Sequence, residues 1–504
     1  MKIAHCGRIG RRVSLMLALA VSLSVAGAAD AQTILFENAR IVPVSSKDIK
    51  KGSVLVKDGK IVRVAESLEA PFDAKVIDCT GKTLFPGMVD PHTWRGMDVP
   101  NESPPVTPFV NVYDAIDPSQ LFFEDSLRDG VTSIHIIAAN DCVIGGMSRV
   151  VHPIGMTPEE MTTAGQVALK LCISPKNGFD RMLQMATFRE TFAKLDESMK
   201  SLAEKRYEDK LREEGKDLDV PPEEEQKRGR ELIRDEDVDE KDRNLLWLTQ
   251  GKIRAFIYCG KAMDVRPAIA LAKKHGFYEQ TVLVLGSECF KATDELKDAR
   301  RPVVLDANLV HREKDPITGE EKETFVPRQM DRAGLKFALQ RQASSSLGDR
   351  YLWYQAARCV AEGVSRDKAL KSITLWPAEM LGLGERLGSI ESGKDANILV
   401  LTGDPLDAQT WVEHVYVQGE HVYDREEDIR LKKLFAKPAE EAGPSTSESA
   451  PADEEKAAEG DSKPELKNAD DQPRQDQPRR PGEGRRGGRR GPGGGPRPGP
   501  RGGE

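Results

Sequence analysis

The side chains that could do chemistry in this sequence are a small set of histidine and cysteine residues close to apolar runs. The four of greatest interest are His92, His152, Cys259 and Cys289. Imidazole and thiolate groups bind borderline and soft divalent ions such as Zn²⁺, so these four would suit a metal site if the fold brought them together. Side chains that only fill space in the core are the other interpretation, because buried histidine and cysteine are common.

Acid–base chemistry without a metal is a second option. Glu288, Asp306 and His311 carry suitable groups, although their spacing requires no particular mechanism. Cys259 and Cys289 also allow a disulfide, which an exported protein can form. Buried free thiols are the alternative, since the six cysteines after residue 31 show no CxxC spacing.

Short strands with tight turns lie at both ends of the region that could position these groups. Residues 53–64 predict a β-hairpin, because Asp58 and Gly59 supply the positive φ angles of a type I′ turn. A similar set of strands is predicted at 396–423. Neither set can bury a face alone, so we expect both ends to form one small β-sandwich.

Between these ends, apolar runs alternate with amphipathic helical patterns, such as those at 265–275 and 350–362. The strand candidates are residues 133–137, 254–258, 281–285, 302–305 and 335–339. Such alternation predicts an α/β fold with a parallel sheet, and the number of units suits a (β/α)8 TIM-like barrel. The predicted domains are a first sandwich part at 32–85, a barrel at 86–380 and a second sandwich part at 381–430.

Residues 84–92, Leu-Phe-Pro-Gly-Met-Val-Asp-Pro-His, resemble the Pro-Gly-hydrophobic-hydrophobic-Asp-x-His-x-His signature of the amidohydrolases, especially their imidazolonepropionase-like branch. Residues 386–397 look like that family's return strand into the sandwich, and 373–382 are similar to the helix before it. Residues 145–148 and 157–161 also fit. The likeness covers roughly residues 33–425 in consistent order.

The resemblance implies a hydrolase that acts on carbon–nitrogen bonds other than peptide bonds, with water activated on one or two divalent ions. The family's ligands lie at the carboxyl ends of barrel strands. Residue by residue, the first metal histidine corresponds to His92. The second falls on Trp94, and the bridging lysine falls on His152.

The remaining ligands of the family fall on residues that cannot replace them. The fifth-strand histidine falls near Tyr258, which Cys259 follows, and the sixth-strand histidine falls on Leu285, shortly before Glu288. The eighth-strand aspartate, both ligand and general base, falls on Gln342. Catalytic zinc needs three protein ligands and an open position, and loss of the base alone removes about 10²–10⁴-fold in rate.

The prediction is therefore a catalytically degenerate homologue that binds a small molecule in a pocket lined by Trp94, Tyr258 and Leu285. No cofactor is expected, and Zn²⁺ or another divalent ion would bind only if His92 and His152 belong to a rebuilt site. An active hydrolase with a reduced or relocated metal site is one alternative. An envelope scaffold that binds polyanions is the other.

The first 31 residues predict a signal peptide, with a basic start, an apolar run at 13–25 and a small-x-small pattern at 29–31. This run is short for a membrane span, so export to the periplasm or the exterior is expected, with an uncleaved anchor as the alternative. The mature chain would begin at Gln32.

Two charged segments explain much of the 31% charged content of the 504 residues. Residues 188–245 predict a solvated helical insert on the barrel. Residues 438–504 predict a disordered tail, acidic first and then rich in arginine and glycine, so the net charge of −8 conceals a basic end. An anionic envelope polymer or lipid is one interpretation of this tail's partner, a tail that only keeps the protein soluble is the alternative, and nucleic acid is not expected in an exported protein.

Overall fold

The computed structural model describes residues 33–217, 220–341 and 350–435. The predicted signal peptide at 1–31, the tail at 438–504 and Gln342 lie outside the described residues. No described helix is both long and apolar enough to cross a bilayer.

Short strands predominate at both ends of the described residues, and helices lie between the strands of the middle part. The strands are β1 (Thr33–Ile41), β2 (Ile49–Lys57), β3 (Lys60–Ala65), β4 (Lys75–Asp78), β5 (Thr83–Pro86), β6 (Met88–Thr93), β7 (Val131–Ile136), β8 (Ile144–Met147), β9 (Arg149–Val151), β10 (Thr162–Ala164), β11 (Ala168–Cys172), β12 (Arg254–Cys259), β13 (Thr281–Leu285), β14 (Val303–Leu305), β15 (Val310–Lys314), β16 (Glu321–Phe325), β17 (Phe337–Ala338), β18 (Ile398–Leu401), β19 (Val412–Val417) and β20 (Glu420–Asp424). The α-helices are α1 (Leu121–Arg128), α2 (Pro158–Met161), α3 (Arg181–Glu213), α4 (Pro222–Arg230), α5 (Glu240–Thr249), α6 (Ala262–Lys274), α7 (Thr293–Ala299), α8 (Val326–Arg332), α9 (Leu352–Ala361), α10 (Arg366–Lys371), α11 (Leu375–Met380) and α12 (Ile429–Phe435). Short 3₁₀ helices occupy Val112–Ala115, Asp235–Asp237, Tyr278–Gln280 and Ser287–Ala292.

One eight-stranded sheet contains strands from both ends of the described chain. Its order is β20-β19-β18-β5-β1-β2-β3, and β4 pairs with β1. The antiparallel pair of β5 and β18 joins the two ends. The expected hairpin is confirmed, with φ values of 52° at Asp58 and 74° at Gly59. This turn lies against the β19–β20 turn, because a Cβ on Gly59 would lie 2.7 Å from the carbonyl oxygen of Gln418.

The alternating segment forms two further sheets. The first has the order β10-β9-β7-β6, and the second has the order β17-β14-β13-β12-β11-β8. From β11 to β17, neighbouring strands of the second sheet pair in parallel. The predicted α/β alternation is confirmed, and the arrangement is TIM-barrel-like. In the described part of the chain, the backbone of β6 does not pair with that of β17.

The charged insert is helical, as predicted, but α3 is more than a solvated surface. Its buried side chains recur every three or four residues along one face: Gln184, Phe188, Phe192, Leu195, Met199, Ala203 and Tyr207. Phe188 and Leu195 belong to the main hydrophobic core. The helix α4 packs closely on α3, since a Cβ on Gly229 would lie 1.9 Å from the carbonyl oxygen of Ala203. The charged composition hid this apolar stripe.

Candidate functional site

His92 lies at the carboxyl end of β6 and is 1% exposed. Its Nδ1 atom lies 2.7 Å from Oε1 of Gln340, and its Nε2 atom lies 2.6 Å from Nζ of Lys170. Both ring nitrogens therefore have protein partners. Because the lysine amine donates to Nε2, this network assigns the ring proton to Nδ1, from which it is donated to Gln340.

Lys170 is fully buried in the middle of β11. Its amine also donates to Oδ1 of Asn140 over 2.6 Å and lies 5.6 Å from the ring centre of Tyr258. Burial lowers the pKa of Lys170. Burial and the neighbouring Lys170 charge hold the pKa of His92 well below its usual range. The imidazole of His92 is therefore neutral at physiological pH.

A second pair links the same two regions of the chain. Arg341 donates from Nε to Oδ2 of Asp90 over 2.9 Å and from Nη2 to Oγ of Ser126 over 3.0 Å. Asp90 is fully buried and Arg341 is 8% exposed. Burial raises the pKa of Asp90, and the Arg341 charge opposes this rise. The end of β6 and the chain that follows β17 are thus joined through side chains.

His135 on β7 supports the site from behind. Its Nδ1 atom lies 2.7 Å from the carbonyl oxygen of Pro91, directly before His92 in the chain. Its Nε2 atom lies 2.7 Å from Oγ of Ser148, which accepts a hydrogen bond from the backbone of Ala168 on β11. Burial lowers the pKa of His135 to about 3. His135 is therefore a neutral histidine that fixes β6 relative to β11.

A known structure identifies the family. The crystal structure of an amidohydrolase from Thermotoga maritima MSB8 superposes on this chain with a TM-score of 0.64 and 30% sequence identity. The superposition covers 78% of this chain and 100% of the Thermotoga chain. This protein belongs to the amidohydrolase superfamily. The expected membership is confirmed.

Two curated relatives and a family model agree with this assignment to the amidohydrolases. The model of the amidohydrolase family matches residues 352–423. Amidohydrolase tasK of Hapsidospora irregularis is 24% identical over 426 residues, which is 77% of this chain and 41% of that protein. An imidazolonepropionase of Geobacillus sp. (strain WCH70) is 50% identical over 52 residues, or 9% of this chain and 12% of that protein. The chain spans less than half the length of either curated relative.

In amidohydrolases the histidine that corresponds to His92 binds a divalent ion, and the described side chains around His92 do not fit one. A hydrolytic site needs several firm ligands and an open position for water. Nε2 of His92 already accepts a hydrogen bond from Lys170. In residues 33–217, 220–341 and 350–435, no three His, Cys, Asp or Glu ligand atoms that include His92 converge on one point.

Trp94, Tyr258 and Leu285 are the three residues that we expected to line a ligand pocket in this amidohydrolase. The Trp94 ring is half-buried and lies 6.1 Å from that of His92, edge to face. Tyr258, near the end of β12, is half-buried, and burial raises its pKa. Leu285 ends β13 and is buried. Trp94 therefore lies against His92, and Tyr258 lies beside Lys170, the partner of His92.

His152, on which the family's bridging lysine falls in the sequence, does not contact His92 in the structure. The residue in contact with His92 is Lys170, whereas His152 follows β9 and its backbone N–H donates to the carbonyl oxygen of Met161. The sequence carried one signal for Lys170. It is a lone charged residue within the apolar run at 167–173, and strands with such runs are buried on both faces.

The other candidate site residues are not part of the hydrogen-bonded cluster of His92, Lys170 and Gln340 (the His92 cluster) either. Cys259 and Cys289 are free buried thiols, and Sγ of Cys289 donates to the carbonyl oxygen of Cys259 over 2.9 Å. The optional disulfide between them is not formed in this structure. His311 on β15 lies with its Nδ1 atom 3.1 Å from Oγ of Ser287, the residue before Glu288.

Proposed function

We propose that this protein is an exported, catalytically degenerate amidohydrolase that binds a small molecule at the barrel mouth without hydrolysing it. The observation that carries the proposal is the 2.6 Å hydrogen bond from Nζ of Lys170 to Nε2 of His92. This bond occupies the one histidine nitrogen that the family signature would offer to a metal. In the same proposal the parallel strands close into a (β/α)8 barrel, and the two chain ends form a small sandwich.

The electrostatics of the cluster favour ligand binding over hydrolysis. A divalent ion at Nε2 of His92 would have to displace the Lys170 amine while both side chains stay fully buried. A cation placed beside a buried ammonium group is strongly disfavoured, because the interior screens charge poorly. Tyr258 and Leu285 then offer a phenol and a hydrocarbon where further ligands would be needed.

The same residues suit recognition of a ligand. Trp94 and Tyr258 are both half-buried, so each presents part of an aromatic face beside a polar group. The buried amine of Lys170 lies 5.6 Å from the ring centre of Tyr258 and donates to the half-buried Asn140. Apolar walls with a few placed polar groups are typical of small-molecule sites. We infer a ligand with a flat or apolar body and at least one hydrogen-bond acceptor.

The test combines metal content with activity. We expect the purified mature chain and its His92→Ala variant to hold equal amounts of zinc and other divalent metals. Neither protein should hydrolyse a panel of cyclic amides and dipeptides. Ligands from the same panel that raise the melting temperature of the parent should fail to do so for Trp94→Ala. A metal that disappears in His92→Ala, together with hydrolysis by the parent, would overturn the proposal.

One observation favours a second candidate function, hydrolysis at a relocated site without a metal. Oγ of Ser287 lies 3.1 Å from Nδ1 of His311, directly after the carboxyl end of β13. A serine beside an imidazole can act as a nucleophile, with the imidazole accepting its proton. Labelling of Ser287 by a fluorophosphonate, lost in His311→Ala, would support this function. Absence of labelling in the parent would exclude it.

The predicted interaction of the tail is a separate matter. Residues 438–504 lie outside the described residues, and binding of an anionic envelope polymer or lipid remains a proposal for them. The expected result is retention on an anionic matrix that falls as salt rises, because such contacts are screened. Deletion of residues 438–504 should abolish that retention.

A further inference from the structure

A cluster of metal-binding side chains lies on the hairpin of β19 and β20, outside the barrel. His414, His421 and Asp424 each offer one ligand atom, and the three atoms lie within 4.8 Å of one another. His414 and Asp424 face each other as partners in the antiparallel pair, and His421 precedes Asp424 by three residues on β20. The hairpin fold, rather than closeness in sequence, brings the three groups together.

Two of the three distances in this cluster are close to those around a small metal ion. Nδ1 of His414 lies 3.2 Å from Nε2 of His421 and 3.6 Å from Oδ2 of Asp424. With bonds of about 2.0–2.1 Å, two ligand atoms of a tetrahedral zinc ion lie roughly 3.3–3.4 Å apart. The two measured separations lie on either side of that value. Only small side-chain shifts would place an ion between the three atoms.

Further contacts hold the ligand groups in place. Oδ1 of Asp424 accepts a hydrogen bond from the backbone of Glu426 over 2.8 Å, which leaves Oδ2 facing His414. The ring of Tyr416 stacks on that of His421, with centroids 4.8 Å apart. Such outer contacts orient metal ligands and are part of many metal sites.

The charges around the cluster are mixed. The charged groups that act on His421 include Asp424 and Lys75 on β4. A neutral imidazole is the form that binds a metal. Lys75 opposes binding of a cation, whereas the Asp424 carboxylate supports it. The side chains of His414 and Asp424 are each 28% exposed, so an ion can reach them from solvent.

We propose that His414, His421 and Asp424 form a binding site for one divalent transition-metal ion of the Zn²⁺ class, with solvent in the remaining position. Two imidazoles and one carboxylate suit zinc, copper or nickel better than calcium or magnesium. Because β20 is the edge strand of the eight-stranded sheet, the ion would also tie that edge to β19. Neither the family signature nor the His92 cluster includes these residues.

The experiment is a calorimetric titration of the mature full-length chain, free of any polyhistidine tag, with Zn²⁺ at pH 7.5. We expect one ion per chain, bound with a dissociation constant in the micromolar range or below. His414→Ala, His421→Ala and Asp424→Asn should each weaken binding at least about tenfold. Glu426→Gln is the matched control, because it removes the same charge from the neighbouring acid, and it should change affinity less than about threefold.

A second measurement, made on the parent protein, tests the site even if the variants fold poorly. The Cu²⁺ form of the parent should give an electron paramagnetic resonance spectrum with two coordinated imidazole nitrogens. His92→Ala should leave both the spectrum and the zinc affinity unchanged, which separates this site from the barrel. Failure of the parent to bind Zn²⁺, or equal binding by the His414→Ala/His421→Ala double variant, would refute the site.

Discussion

Arg341 donates a hydrogen bond from its Nε atom to Oδ2 of Asp90 over 2.9 Å, between β6 and the residues that follow β17. Beside it, Gln340 contacts His92. These two side-chain pairs join chain segments 248 and 251 residues apart. In the described residues, no backbone hydrogen bonds pair β6 with β17. The two side-chain pairs therefore link β6 directly to the residues that follow β17.

Removal of Arg341 should therefore be costly. We expect Arg341→Ala to lower the free energy of unfolding by about 3–5 kcal/mol, because it leaves the buried Asp90 carboxylate without its partner. Urea denaturation of the two proteins measures the difference. Arg312→Ala is the control, since its ion pair with Glu323 is exposed and should contribute little to stability. A loss for Arg341→Ala no larger than the control's would contradict this role.

Local features of the fold could be predicted from the sequence, and distant contacts could not. The Asp58-Gly59 turn and the strand at 281–285 follow from backbone preference and apolar runs of a few residues. The contact between Lys170 and His92 joins β11 and β6, which lie in different sheets and carry the two residues 78 positions apart, and no local pattern encodes it. The apolar stripe of α3 was hidden by its charged neighbours. The family signature located His92, but only the fold showed its partners.

His135 predicts a dependence of stability on pH. Its pKa of about 3 in the folded protein lies below the usual value of about 6.5, so between these values the unfolded chain takes up a proton that the folded one does not. Burial of the neutral His135 ring therefore costs no stability above about pH 6.5, where the unfolded chain is also unprotonated. As the pH falls from 6.5 toward 3, protonation of the unfolded chain lowers the free energy of unfolding. The contribution of His135 should decline by about 2 kcal/mol from pH 6.5 to pH 5.

Urea denaturation at a series of pH values tests the role of His135. The slope of unfolding free energy against pH should fall by about 1.4 kcal/mol per unit in His135→Gln. If that variant does not fold, nuclear magnetic resonance of the parent is the second test. The ring signals of His135 should then show no titration between pH 8 and pH 5. A midpoint near 6.5 would show the prediction to be wrong.

Gly229 should tolerate no side chain, because α4 crosses α3 at this point. A Cβ there would lie 1.9 Å from the carbonyl oxygen of Ala203. We expect Gly229→Ala to destabilise the protein by about 1–3 kcal/mol, as overpacked sites do, despite the better helix propensity of alanine. Lys227→Ala, an exposed change on the same helix, should have little effect. Limited proteolysis of the insert and thermal unfolding measure the two variants, and equal behaviour would count against the close crossing.

The cysteines should differ in how readily they oxidise. Sγ of Cys142 lies 3.5 Å from Sγ of Cys172, whereas Sγ of Cys289 donates a hydrogen bond to the backbone carbonyl oxygen of Cys259. We expect titration of the denatured, untreated mature protein to count six free thiols, because all six cysteines are buried and free. Mild oxidation should join Cys142 to Cys172 before any other pair, as peptide mass spectrometry can show. A bond between Cys259 and Cys289 as the first product would contradict this order.

An anomalous difference map from crystals of the mature protein grown with Zn²⁺ would show directly whether His92 binds a metal. We expect no peak within bonding distance of Nε2 of His92, because the Lys170 amine occupies that position. Nζ of Lys170 should stay within hydrogen-bond distance of the ring. A strong zinc peak about 2.1 Å from Nε2 of His92, with Lys170 displaced or joined to the ion, would show that the metal site of the family survives in this chain.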